Sequence, residues 1–176
     1  RRLAADARDR LESGPVGGCI GAARYAAELG IDNVIAFDMG GTTAKCALVM
    51  NAQFDVQPLY YVGGYDHGFP IRTPVIDIVE VGAGGGSIAR IDNGGDFTVG
   101  PQSAGSEPGP VAFGRGGVEP TVTDANLVLG RIGTGKFMGG RLTLDVERAR
   151  QAIATRIAEP LGFGNADGVD VAAQGI

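Results

Sequence analysis

Between Gly82 and Gly117, twelve of thirty-six residues are glycine. Few regular elements survive such a density, because an interior glycine costs a helix about 1 kcal/mol relative to alanine and leaves a strand with nothing to pack. This stretch therefore reads as loops around a strand or two. The whole chain holds 31 glycines in 176 residues, far above the usual level of about 7%. Collagen is excluded, since no third-residue period runs and prolines number only 9, and a flexible linker is excluded by a hydrophobic content of 44%. A folded, loop-heavy domain remains, and a chain of roughly 150 residues buries about 68–70% of its unfolded surface, enough for a core.

Charge narrows the partners. With 15 basic and 20 acidic residues the net charge is −5, and no basic cluster exceeds a pair, which argues against nucleic acid and anionic membranes. Cys19 and Cys46 lack any metal-ligand or CxxC spacing, which fits a reduced, cytoplasmic setting better than a secreted disulfide scaffold. No apolar run reaches the length of about 18 residues needed to span a bilayer, and Arg1-Arg2 is not followed by a signal-type apolar region.

Leu3, Ala7 and Leu11 share a helical face, so the first twelve residues predict an amphipathic helix. Ser13-Gly14-Pro15 opens a second helix that Gly30 closes. Its Gly17, Gly18, Gly21, Ala22, Ala26 and Ala27 give it a small-residue face suited to close packing. Strands are expected at Asn33–Phe37, Thr43–Met50, Pro58–Val62, Val75–Val81, Ser87–Ile91 and Phe97–Gly100, with turns at Gly63-Gly64 and Asn93-Gly94-Gly95. Thr121 to Asp124 starts a helix running to about Gly130. Asp145 caps another, in which Val146, Ala149, Ile153 and Ile157 share a face and which Pro160 and Gly162 end. Val169 to Ile176 reads as the start of a helix. The abrupt ends predict a piece excised from a longer protein.

Three glycine motifs compete as phosphate sites. Gly130 to Lys136 has P-loop spacing, but Phe137 stands where a hydroxyl residue is needed and a helix precedes it instead of a strand, so it reads as a chance match. Gly82-Ala83-Gly84-Gly85-Gly86-Ser87 follows an apolar run, yet the alternating Ile88-Ala89-Arg90-Ile91 continues as a strand, which excludes a dinucleotide fingerprint. Close approach to a ligand and close approach to another strand explain its glycines equally well. Asp38-Met39-Gly40-Gly41-Thr42-Thr43 is the most informative. A strand-end Asp followed by two glycines and hydroxyls makes a concave array of N–H donors for phosphate oxygens, and the carboxylate can hold Mg²⁺ through water. An ordinary hairpin turn uses the same residues.

Ser13-Gly14-Pro15-Val16-Gly17-Gly18, Ala36 to Thr42, Val81 to Ala89, Gly100 to Gly105, Glu107 to Pro110, Gly114 to Gly117 and Glu119 to Asn126 together resemble the hydantoinase A/oxoprolinase family, whose members include N-methylhydantoinase A, 5-oxoprolinase and the acetone carboxylase β subunit. The resemblance implies an α/β fold, one ribonuclease-H-like half of an actin, sugar-kinase and heat-shock ATPase fold, a mixed sheet with flanking helices. It implies that residues 1–30 are a connecting helical segment and 31–176 the second nucleotide-binding lobe, truncated at both ends. ATP and Mg²⁺ are the implied cofactors. Asp38, Gly40, Gly41, Thr42 and Thr43 are the implied nucleotide contacts, with Gly84, Gly85, Gly86 and Ser87 near the nucleotide. Asp38 is the candidate catalytic group, as proton acceptor for water or as holder of Mg²⁺ through water. The implied substrate is a cyclic amide, and the implied partner a hydantoinase B-type subunit in a hetero-oligomer. By itself the chain is expected to lack turnover. An acetone-carboxylase-type β subunit region and a non-catalytic assembly module are the alternatives.

Four other residues have plainer readings. His67, the single histidine, reads as a solvated loop residue, and Asp124 as a first-turn helix acid favoured by the dipole. Lys45 reads as the outward face of a strand, with a phosphate contact as the alternative. Arg115 between glycines pairs with an anion or a neighbouring carboxylate.

Overall fold

A computed structural model describes residues 13–62, 66–72, 75–134 and 137–176. The helix expected over the first twelve residues and the turn at Gly63-Gly64 lie outside the described residues. The chain is mixed α/β with antiparallel sheets, and it divides into two compact units: the chain up to Asp38 with Ala44–Val81, and Met39–Thr43 with Gly82–Ile176.

In the first unit, helix α1 (Ser13–Leu29) ends where Gly30 turns to φ +66° and Ile31 N–H caps the Ala26 carbonyl at 2.9 Å. Strand β1 (Asn33–Met39) pairs with β2 (Ala44–Met50), which also pairs with β3 (Gln53–Phe54) and β8 (Val79–Val81). Asn51 and Ala52, both at positive φ, make the tight β2–β3 turn. Short antiparallel pairs β4 (Val56–Gln57) with β7 (Val75–Ile76), and β5 (Tyr60–Val62) with β6 (Phe69–Ile71), complete the unit. The strand expected over Val75–Val81 is split, because its first two residues pair with β4 and its last three with β2. The core is Cys19 and Ala23 of α1 against Ala36, Ala47 and Val49. Side chains on one face of β1 and β2 meet the helix there, as period-2 alternation requires.

The small-residue face of α1 was expected to serve close packing. Gly14, Gly17, Gly18 and Gly21 instead have no heavy atom within 4 Å of an added Cβ. The buried contacts come from Cys19, Ala23 and Ala26, spaced as one helical face.

The second unit holds β9 (Ser87–Ile91) paired with β10 (Phe97–Ser103), which runs three residues past the expected end. Helix α2 (Val122–Val128) starts on a capping box between Thr121 and Asp124. Helix α3 (Val146–Ile153) starts on Asp145, whose carboxylate accepts from Arg148 N–H at 3.0 Å, and continues as a π segment over Ala154–Ala158. Gly162, at φ +82°, follows. Helix α4 (Ala166–Gly175) begins earlier than expected because Asn165 caps it. One core joins Ala89, Ala125, Ile153, Ile157, Val169 and Ala173, and another joins Ala112, Leu127, Leu144 and Ala149. Among the described residues no helix is long and apolar enough to cross a membrane.

Candidate nucleotide-phosphate site

The turn Gly40–Thr43 is held by its carbonyls. Gly40 O accepts the N–H of Gly85 at 2.9 Å, and Gly41 O accepts that of Gly86 at 2.6 Å. Gly40 N–H closes the turn onto Thr43 O at 2.9 Å. Among the described residues the N–H groups of Gly41 and Thr42 have no acceptor. Carbonyls turned inward and amides left over are the arrangement a backbone nest presents to an anion.

The approach explains the glycines at 84 and 86. A Cβ on Gly84 would stand 2.5 Å from the carbonyl carbon of Thr42, and one on Gly86 would stand 2.8 Å from Gly41 O. Backbone must therefore meet backbone here, which decides the question the sequence left open at these two positions. Gly85 faces Thr123, whose N–H and hydroxyl both donate to the Gly85 carbonyl at 2.8 Å. Ser87 is fully buried, and its oxygen accepts the N–H of Gly84 at 2.8 Å.

A groove of 400 Å³ opens beside this assembly, lined by Gly41, Thr42, Gly86 and Thr123 together with Gly105 and Ser106. At Gly41 an added Cβ meets nothing within 4 Å, so the lack of a side chain keeps the groove open. Asp124 fixes the walls. Its carboxylate is wholly buried and accepts from Val111 N–H at 3.1 Å, Ala112 N–H at 2.8 Å, Thr121 N–H at 2.9 Å and the Thr121 hydroxyl at 2.8 Å. The first-turn helix reading of Asp124 is right, and its tie to Val111 and Ala112 is what sequence reasoning missed.

Asp38 belongs to the first unit, while Gly40–Thr43 belong to the second. Asp38 lines a cavity of 310 Å³ with Gly18 and Cys19 of α1 and Lys45 and Cys46 of β2. Burial pushes the Cys19 thiol above its ordinary pKa, a backbone hydrogen bond opposes this, and the negative charge of Asp38 raises it further. Lys45 does not lie on an outward face: it is largely covered and pairs with Glu80, its cross-strand neighbour on β8, at 3.6 Å. His67 and Arg115 are exposed. Among the described residues no three His, Cys, Asp or Glu gather as a metal cluster.

A sequence profile of the hydantoinase/oxoprolinase family matches residues 3–176. The chain is 45% identical to the caprolactamase α subunit of Pseudomonas jessenii over 94% of its own length and 23% of that protein's. It is 34% identical to the acetone carboxylase β subunit of Xanthobacter autotrophicus over 89% of its length and 22% of that protein's. The crystal structure of the ATP-dependent caprolactamase from P. jessenii superposes with a TM-score of 0.76 at 43% identity, covering 94% of this chain and 23% of that one. The chain thus spans about a quarter of the length of these relatives. A profile match over nearly every residue places this chain in the hydantoinase/oxoprolinase family.

Proposed function

We propose that residues 31–176 form the second nucleotide-binding lobe of an ATP-dependent hydrolase of cyclic amides, of the hydantoin or 5-oxoproline type. Residues 1–30 are its connecting segment, and the lobe is a ribonuclease-H-like half of an actin-type ATPase fold. The observation that carries this reading is the turn at Gly40–Thr43, pinned through its carbonyls with the amides of Gly41 and Thr42 left without acceptors at a groove. The similarity to an ATP-dependent caprolactamase points the same way.

Bound ATP supplies the phosphoryl group that opens an unreactive amide carbon to water. The chain's own contribution is placement and charge. Gly41 and Thr42 direct N–H groups at phosphate oxygens, and the Thr42 and Thr43 hydroxyls add donors. Gly84, Gly85, Gly86 and Ser87 serve the nucleotide through the turn they hold. Asp38, at the end of β1, is the proposed holder of Mg²⁺ through water and the proposed proton acceptor. Mg²⁺ keeps several waters and takes phosphate oxygens as further ligands, so one carboxylate suffices on the protein's side. A B-type subunit is the proposed partner, because the relatives are named as subunits.

Calorimetry of Mg·ATP on the full-length protein tests the reading. Wild type binds, and Gly41→Val and Asp38→Ala weaken binding. Absence of binding by wild type, or indifference to both substitutions, would overturn it in favour of a non-catalytic assembly module.

A further inference from the structure

The β1–β2 hairpin sets Asp38 directly opposite Lys45. Asn51 N–H donates to Asp32 O at 2.6 Å and Gly40 N–H to Thr43 O at 2.9 Å, and that register also sets Ala36 opposite Ala47 and Val34 opposite Val49. Opposed residues share a face. Ala36, Ala47 and Val49 pack on α1, so Asp38 and Lys45 stand on the α1 side, at the cavity. Opposite charges placed so are expected to pair, yet the ion pair Lys45 makes is with Glu80 at 3.6 Å, leaving further ammonium protons free of that partner. The cavity thus holds a carboxylate acceptor beside an ammonium donor, between apolar walls.

Its 310 Å³ equals about ten waters at roughly 30 Å³ each. That is room for one small ring, and a mostly apolar cavity with few polar groups is the usual form of a small-molecule site. Gly18 lies on its wall with no atom within 4 Å of an added Cβ, so no contact in the helix packing requires glycine there.

We propose that this cavity is the binding site for the cyclic amide, with the ring N–H donated to the Asp38 carboxylate and the ring carbonyl accepting from Lys45. A ring forces the amide to be cis, which puts N–H and C=O on one edge, and the cross-strand pair presents the matching acceptor and donor side by side. An open-chain trans amide, with these groups on opposite edges, does not fit the pair. The identity of the ligand rests on the reading of the protein as a cyclic-amide hydrolase, while the cavity and the charge pair do not.

The test uses the full-length protein in the complex it forms, with calorimetric titration of hydantoin, caprolactam and Mg·ATP separately. Two variants are compared with wild type: Gly18→Leu, which fills the cavity while improving helix propensity, and Lys45→Met, which keeps the stem and removes the donor. Both should weaken the cyclic amide that wild type binds by about tenfold or more, the scale of a lost charged hydrogen bond, and Gly18→Leu, which leaves Asp38 and its charged neighbour in place, should leave Mg·ATP affinity unchanged. Cyclic-amide affinity unchanged in both variants overturns the proposal even when Mg·ATP binds, as does failure of wild type to bind either ring. Loss of Mg·ATP affinity in Gly18→Leu as large as its loss of ring affinity also overturns it, because filling the cavity then acts on the nucleotide and not on a ring of its own. Failure of Mg·ATP to bind wild type counts against the nucleotide reading alone, and the ring titrations still decide this one.

Discussion

The carbonyl of Gly41 accepts the N–H of Gly86 at 2.6 Å, and a Cβ on Gly86 would stand 2.8 Å from that same oxygen. The hydrogen bond that fixes the turn is thus possible only where the donor residue has no side chain. Two substitutions separate support from contact. Gly86→Ala should destabilise the protein by about 1–3 kcal/mol, the usual cost of overpacking, and weaken Mg·ATP as well. Gly41→Ala meets open space, so its midpoint in urea should stay within about 0.5 kcal/mol of wild type while Mg·ATP affinity falls. Equal loss of stability in both would contradict the assignment of Gly41 to the groove.

Thr123 acts on the turn through Gly85. Replacing it with valine keeps the shape and the backbone N–H but removes the hydroxyl that donates to the Gly85 carbonyl. Loss of about 1 kcal/mol is expected, seen as roughly fivefold weaker Mg·ATP binding, with Thr123→Ser restoring wild-type affinity. Valine and threonine forms that bind alike would remove Thr123 from the support of the turn.

Asp124→Asn leaves a single acceptor oxygen where four donors converged. The new NH₂ group then meets N–H groups in a fully buried place. Urea unfolding should show a loss of about 1.5–3 kcal/mol, as for hydrogen bonds to a charged group. Wild-type stability in this variant would mean that the carboxylate is not the tie it is drawn to be.

The thiol of Cys19 is held above its ordinary pKa by burial and then by the Asp38 charge. The folded protein therefore binds this proton more tightly than the unfolded chain. The stability it contributes is complete below the unfolded thiol's pKa and fades as pH rises through the folded value. Asp38→Asn removes the second cause, so the pH profile of Cys19 alkylation, followed by mass spectrometry, should move to lower pH. An unmoved profile would place the carboxylate away from the thiol.

Local signals were readable where the causes are local. Gly30, Thr121 and Asp145 mark helix ends because caps and left-handed turns depend on adjacent residues. Gly84 and Gly86 signalled a close approach but not its partner, since Thr42 and Gly41 lie some forty residues earlier and no local pattern ties them. Asp124 hid its bonds to Val111 and Ala112 for the same reason. Lys45 was misplaced because β2 is apolar on both faces, with Ala47 and Val49 on one and Leu48 and Met50 on the other. Alternation then does not say which parity meets the helix. The glycines of α1 were read as packing residues, and the open space at all four leaves only Gly18 with a use in the inferred cavity.

The buried carboxylate of Asp124 ties Val111 and Ala112 to the start of α2, and the groove takes walls from both segments through Pro110, Phe113 and Thr123. A ligand seated there stabilises only the state in which that tie is made. The amides of Val111 and Ala112, which touch no ligand themselves, therefore become reporters of occupancy: their exchange with solvent deuterium slows as the groove fills, in step with the ligand's own free energy of binding.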